Sequence, residues 1–317
     1  MSADTRRRLE LTMPKEQPFT GATRTAANHD ARIVTPGERA GALEFLQGLC
    51  EEMSDGKVNL PCFPDVVVRI RKALDDPETH IAQTVKIVGT EPRLAARILQ
   101  TANSVVFNHS GKPVLDLRTA IARLGTRLVQ SSAMAFAVQQ MRMAPLLKSA
   151  GGPLKMLWEE SISAAALCQL LARRTTVNPD EAFLTGLLHG IGRLYIMVRA
   201  ASDPGKARYE RPLIELIDGW HPTIGKMVLE NWGFPEAMAA AIGQQQNYGY
   251  TSKAEDLTDI LIAGLVLAAA ARPGGARVIE GAEIRPFARL GLRAEECRAM
   301  LAVTARHIGA LRGALGC

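Results

Sequence analysis

The residues of this chain that could hold a metal ion are a few histidines and carboxylates, and His189 is the most informative of them. It lies in the apolar stretch 183–194, which we predict to be one continuous helix, and Gly190 follows it. A histidine beside a carboxylate can bind a divalent cation, because both groups are strong ligands and the carboxylate offsets the cation's charge. Glycine offers no ligand atom. The pair at 189–190 therefore lacks half of such a site.

The five cysteines give no support to a metal or disulfide framework. They form no CxxC pair, and their odd number and scatter predict reduced thiols in a cytoplasmic protein. No glycine-rich segment ends in the Lys-Ser or Lys-Thr of a phosphate loop. Cysteine chemistry and phosphate-loop chemistry are thus not supported by these patterns.

Composition and charge limit the classes of partner. A chain of 317 residues with 47% hydrophobic content can bury a substantial core, as one large domain or two small ones. The formal net charge of +6 is spread along the chain rather than concentrated, which argues against nucleic acid as a partner. The most apolar run, 260–271, is shorter than the roughly 20 residues that a membrane span needs. We therefore expect no membrane association and no cofactor.

The elements that must position the candidate residues are helices, because apolar residues recur with helical spacing and no stretch alternates convincingly with a period of two. The predicted helices cover residues 38–53, 66–74, 81–88, 92–102, 117–124, 126–141, 157–174, 179–199, 221–232, 235–246, 257–271 and 293–315. Gly151-Gly152-Pro153 is the clearest internal break. The chain is predicted to be all-α, with a flexible arm (1–39), an N-terminal helical bundle (40–150), a second helical subdomain (151–275) and a C-terminal extension (276–317) that ends in an amphipathic helix.

Several short phrases, in a characteristic order, resemble a known family. They are Leu60-Pro61 with Phe63-Pro64, Glu91-Pro92-Arg93-Leu94, Ile98-Leu99-Gln100-Thr101-Ala102-Asn103-Ser104, Ala120-Ile121-Ala122-Arg123-Leu124-Gly125, Leu157-Trp158 with Ser161, the run from Ala182 to His189, and Trp232-Gly233-Phe234-Pro235. This order resembles the HDOD domain, the HD-related output domain of bacterial signalling proteins, over roughly residues 60–271. The resemblance implies an N-terminal bundle packed on a C-terminal half similar to the HD metal-dependent phosphohydrolases.

The same resemblance implies where metal ligands would stand. HD hydrolases take metal from a histidine on one helix, a His-Asp pair on another, a later aspartate and, in some members, further histidines. The corresponding positions here read Glu160, the pair His189-Gly190, His221 placed just before a predicted helix start at Thr223, the pair Gln245-Gln246, and Ala268 or Ala269 in place of the final aspartate. We interpret this set as the relic of an HD-type site.

The resulting hypothesis is a non-catalytic bacterial signalling module that acts by binding a protein partner or a small ligand, with a small nucleotide included. Asn103 is predicted to bridge backbone groups between helices, and Trp158 to have a structural or binding role. Two alternatives remain open. The first is a residual metal-dependent phosphohydrolase acting on a nucleotide, with Glu160, His189 and His221 as ligands. The second is a nucleic-acid-binding regulator.

Overall fold

A computed structural model describes residues 35–56, 81–103, 108, 111–142, 151–205, 210–272, 284–302 and 304. The regular secondary structure among these residues consists of helices, joined by turns and irregular segments, which confirms the all-α prediction. The helices are α1 (Pro36–Ser54), α2 (Ile81–Gly89), α3 (Pro92–Ala102), α4 (Leu117–Arg142), α5 (Gly151–Ala172), α6 (Pro179–Leu188), α7 (Ile191–Ser202), α8 (Glu210–Asn231), α9 (Glu236–Gln244), α10 (Leu257–Ala270) and α11 (Arg285–Arg289). The predicted helix at 66–74 lies outside the described residues. Of the one predicted at 293–315, residues 294–302 are described and helical.

Side-chain caps explain where several helices begin. Thr35 and Glu38 form a reciprocal capping box at the start of α1, and Asp256 and Asp259 form another at the start of α10. The side chain of Asn178 accepts hydrogen bonds from the first backbone N–H groups of α6, whose first residue is proline. These starts are local in the sequence, and they coincide with the predicted ones to within two residues.

Gly125 divides α4 into two helical pieces. Its backbone angles, φ 76° and ψ 160°, are non-helical and lie where a side chain would be strained. The sequence predicts one helix ending at Gly125 and another beginning at residue 126, and the kink falls at this residue.

The structure corrects the predicted helix at 179–199. The helix α6 ends at Leu188 and α7 begins at Ile191, so His189 and Gly190 form the junction between two helices rather than the middle of one. Gly190 is the N-cap of α7, with φ −89° and ψ 5°. Continuous apolar character spans the junction because both helices are buried, so hydrophobicity alone did not reveal the break.

Two further helix starts differ from expectation. His221 does not precede a helix start at Thr223; it lies inside α8, which begins at Glu210 and accommodates Pro222 in its interior. Gly151-Gly152-Pro153, expected as a break, forms the first turn of α5. A proline in a first turn costs little, since the N–H groups there have no partner within the helix.

The core of the second half is built around α5, α6 and α10, which pack on one another through small residues. A Cβ added to Gly186 would lie 2.8 Å from the Cα of Ala165, and one added to Gly264 would lie 2.5 Å from the sulfur of Cys168. The helix α7 crosses α8 even more closely, because a Cβ on Gly192 would lie 2.0 Å from the carbonyl oxygen of His221. These close approaches bring the polar residues of the α6–α7 junction and of α8 together.

Contacts between distant parts of the chain fix the outer helices. The helix α1 packs against α8, where Asn231 donates a hydrogen bond to the carbonyl oxygen of Met53 at 3.0 Å. Arg199 of α7 pairs with Glu52 at 2.6 Å. The helix α4 packs against α6, which joins the two halves.

Candidate functional site at the junction of α6 and α7

His189 is buried at the junction, with 4% of its surface exposed. Its Nδ1 lies 2.8 Å from the carbonyl oxygen of Gly186. Because a carbonyl oxygen can only accept, Nδ1 carries the proton and Nε2 is unprotonated. Burial lowers the pKa of His189 to about 4, and the nearby charges of Arg193 and Arg272 act in the same direction. The imidazole is therefore neutral at pH 7.

His221 is buried beside it on α8. The amide nitrogen of Gln246 lies 2.9 Å from the carbonyl oxygen of Asp218 and 3.2 Å from Nε2 of His221. The carbonyl contact identifies this atom as the NH₂ donor, so Nε2 of His221 accepts and Nδ1 carries the proton. Burial lowers the pKa of His221 well below its usual value, with further lowering by Arg193 and His189.

The Gln245-Gln246 pair is used for structural hydrogen bonds. Gln245 is 3% exposed, and its amide donates to the carbonyl oxygens of Ile242 and His189 at 2.9 and 3.1 Å. Together the two glutamines connect the end of α9 to the junction and to α8. A neutral amide whose N–H groups are spent in this way is a weak ligand for a divalent cation.

Arginines surround Glu160, at the position where the resemblance implied the first metal-ligating histidine. The Nη2 of Arg272 lies 2.6 Å from one carboxylate oxygen, and the Nη1 of Arg193 lies 3.6 Å from the other. The Nη2 of Arg193 also lies 3.0 Å from Asp218. The charge of Glu160 is thus compensated by guanidinium groups, and a positive charge occupies the space next to both histidines.

Apolar side chains lie next to Gly190. A Cβ at this position would lie 2.5 Å from Cδ1 of Leu157, so a carboxylate there would require Leu157 to move. Trp158, 3% exposed, lines a cavity between α5 and the α6–α7 junction together with Leu157, Ser161 and Leu194. This neighbourhood suits packing rather than metal coordination.

Ala268 and Asp259, the residues at or near the position of the final aspartate of an HD-type site, both lie on α10. Ala268 is buried, four residues before Arg272, which pairs with Glu160. Asp259, two turns earlier, is fully buried and accepts hydrogen bonds from Arg289 at 2.9 Å through both carboxylate oxygens. It is therefore committed to a different part of the molecule. Among the described residues, no group of three or more His, Cys, Asp or Glu side chains could hold a metal ion.

Asn103 lies in the first half, away from this cluster, and acts as a clamp. Its Nδ2 donates to the carbonyl oxygens of Leu99 and Val114 at 3.0 and 2.8 Å, and its Oδ1 accepts from the backbone N–H of Val114 at 2.7 Å. The amide thereby ties the end of α3 to the segment that leads into α4. One side-chain amide thus joins a helix end to the irregular segment before the next helix.

Sequence reasoning brought Glu160, His189, His221 and the two glutamines into one set, and the structure places them around a single junction. Sequence reasoning did not find Arg193, Arg272 and Asp218, the charged residues that lie around Glu160 and the two histidines. Arg193 follows His189 by four residues, and Asp218 precedes His221 by three. Spacing of three or four residues from each histidine could have found Arg193 and Asp218, whereas no local signal points to Arg272.

Comparison with known proteins identifies the family. A family model for the HDOD domain matches residues 60–248, more than half of the chain. The chain belongs to the HDOD domain family. Its similarity to a curated relative is low: it is 22% identical over 210 residues to an uncharacterized protein of Treponema pallidum (strain Nichols). That match covers 63% of this chain and 40% of the relative, so the chain spans less than half of the relative's length.

Solved structures share the fold of this HDOD protein at low sequence identity. A protein of Shewanella amazonensis SB2B, provisionally named a metal-dependent phosphohydrolase, has a TM-score of 0.61 and 21% identity over 83% of this chain and 99% of its own. An HDOD domain protein of unknown function from Geobacter sulfurreducens has a TM-score of 0.51 and 22% identity over 82% and 98%. A protein of Marinobacter aquaeolei VT8, provisionally named a signal transduction protein, has a TM-score of 0.59 and 20% identity over 90% and 67%.

Within the described ranges, no helix is both long enough and apolar enough to cross a bilayer.

Proposed function

We propose that this HDOD protein is a non-catalytic signal-transduction module that acts by binding. Membership in the HDOD family supports a signalling role. The state of the α6–α7 junction supports the absence of catalysis, because the positions that would supply metal ligands are occupied by groups that hold the helices together. This arrangement favours an output through binding of a protein partner or a small ligand.

The observation that carries the proposal is the pairing of Glu160 with Arg272 and Arg193. A guanidinium 2.6 Å from the carboxylate already neutralises it, and a divalent cation brought to the same place would be repelled by two positive charges. The two histidines alone remain as ligands of ordinary strength, and no carboxylate next to them is left to offset a cation's charge.

Leu157 adds a second, independent obstacle to metal binding. Because Cδ1 of Leu157 fills the position of a side chain at residue 190, the site cannot regain a carboxylate at residue 190 without repacking α5. At the position of the HD-type ligand pair, the helices and their packing are present but the carboxylate is not. This supports a role in recognition rather than in catalysis.

The decisive experiment is metal analysis of the protein purified without chelator, together with equilibrium dialysis against Zn²⁺, Mn²⁺ and Mg²⁺. We expect well under one metal ion per chain, and no change in metal content for Glu160→Ala or His189→Ala. Glu296→Ala is the matched control, since Glu296 also pairs with an arginine but lies on the surface. One bound ion per chain that disappears in Glu160→Ala and His189→Ala, and not in Glu296→Ala, would establish the residual phosphohydrolase alternative instead.

A further inference from the structure

Two buried N–H groups in the cluster meet no acceptor among the described residues. They are Nε of Arg193 and Nδ1 of His221. Native structures pair nearly all of their buried donors, because an unpaired buried donor loses its hydrogen bonds to water without replacement. Two such donors in one cluster therefore indicate a hydrogen-bond acceptor that the described residues do not provide.

The two donors lie on helices that touch. The residue before Arg193 is Gly192, whose backbone packs directly on the carbonyl oxygen of His221. From there the guanidinium reaches Asp218, one helical turn before His221, at 3.0 Å. The side chain of Arg193 thus runs along the face of α8 that carries His221, and its charge is felt by that imidazole.

Both groups are hydrogen-bond donors, so the missing partner must be a hydrogen-bond acceptor. The Nε of arginine is always protonated. The proton of His221 is on Nδ1, because its Nε2 accepts from the amide of Gln246. His221 is 2% exposed, so the ring is held in a fixed environment. The complementary group is therefore an acceptor with at least two lone pairs, and an oxyanion has them.

Arg193 is available for such a contact. Its distance of 3.6 Å to Glu160 is too long for a hydrogen bond, and Glu160 keeps a closer partner in Arg272 at 2.6 Å. Nε of Arg193 can therefore donate to a ligand while Nη2 keeps its contact with Asp218 and Glu160 stays paired with Arg272. The cluster holds two guanidiniums and two carboxylates, so its formal charges balance before any anion binds.

We propose that the α6–α7 junction binds one compact oxyanion, the carboxylate or phosphate group of a small ligand, which accepts hydrogen bonds from Nε of Arg193 and Nδ1 of His221. This rests on the proposed function, since it names the ligand chemistry of the same metal-free site. The guanidinium supplies charge and direction, and the neutral imidazole supplies a second donor without a second positive charge.

Isothermal titration calorimetry at pH 7 and constant ionic strength, with chloride as the background anion, tests this proposal. Inorganic phosphate and acetate are titrated separately, so that the two arms distinguish the phosphate from the carboxylate source. We expect at least one of them to bind saturably with one site per chain. Arg193→Gln and His221→Phe should each weaken that binding by about tenfold or more, because each removes one charged or buried hydrogen bond.

Arg174→Gln is the matched control, because Arg174 also pairs with a carboxylate but lies half-exposed and outside the cluster. It should bind with the affinity of the unchanged chain. Circular dichroism and thermal unfolding establish whether each variant folds. If Arg193→Gln does not fold, the binding measurement on His221→Phe decides the test. Absence of saturable binding by both anions, with the donors serving only an internal water, contradicts the proposal, and so does equal weakening by Arg174→Gln. Neither result would alter the metal content, so failure here is distinguishable from failure of the proposed function.

Discussion

At the scale of single residues, His189 and His221 are neutral bases held in a site that disfavours their charged forms. The site residues could be collected from the sequence, because the order of the phrases around them is characteristic of the family. Their protonation and partners could not, since burial and the neighbouring guanidiniums come from helices that are distant in the sequence. The same residue type at an exposed position would titrate near pH 6.5.

This burial predicts that the protein loses stability in mild acid. The pKa of His189 is about 4 in the folded chain and near 6.5 in the unfolded one, so between these values the unfolded state binds more protons. The stabilisation is complete above about pH 6.5 and is lost as the pH falls towards 4, by roughly 3 kcal/mol for this residue. Urea unfolding at pH 7.0, 5.5 and 4.5 measures this decrease in the free energy of unfolding.

The variant His189→Asn keeps a side-chain donor for Gly186 but cannot titrate. Its free energy of unfolding should be lower at pH 7 and should decline less between pH 7.0 and 4.5 than that of the unchanged chain. An identical decline in both proteins would show that His189 does not carry this pH dependence.

At the scale of elements, the close crossing of α7 and α8 positions the cluster. Gly192 permits this crossing, because the backbone of His221 occupies the place of a Cβ. The helices themselves were predictable, since caps such as Asn178 and the apolar spacing are local signals. The break at 189–190 was not, because a junction between two buried helices is as apolar as the helices on either side.

Gly192→Ala should therefore be strongly destabilising. The added methyl group meets backbone rather than a movable side chain, so the helices must separate, at a cost of about 3 kcal/mol or more. Chemical denaturation monitored by circular dichroism measures the change. Gly219→Ala on α8 is the matched control, because nothing lies within 4 Å of its added Cβ, and alanine should stabilise that helix by about 0.5–1 kcal/mol. Similar effects of the two substitutions would contradict the close-crossing account.

At the scale of the whole molecule, α1 and α11 are held onto the second half by specific polar contacts. The helix α1 is attached through Asn231 and Arg199, and α11 through the pair Arg289–Asp259. Asp259 is fully buried, and burial raises its pKa while Arg289 opposes that rise. The carboxylate is thus tolerated in the core because the guanidinium accompanies it.

Removing that guanidinium should destabilise the protein substantially. Arg289→Ala leaves the Asp259 carboxylate buried without its cation, and the expected loss in the free energy of unfolding is about 3–5 kcal/mol at pH 7. The loss should shrink at lower pH, where Asp259 becomes protonated and neutral. Arg174→Ala, which breaks a surface ion pair, should change stability little. Equal losses from the two substitutions, measured by urea titration, would show that the Arg289–Asp259 pair does not secure the C-terminal segment.

The sequence by itself determined the helical class, most helix starts, the family and the absence of a carboxylate at residues 190, 268 and 269. These properties depend on residues that are neighbours along the chain or on the order of short phrases. Only the tertiary structure decided that Arg193 and Arg272 surround Glu160, that Gln246 sets the tautomer of His221, and that two donors are left without acceptors. Those contacts depend on how closely helices cross, and the crossing of α7 and α8 follows from packing at Gly192 rather than from any pattern that the separate helices carry.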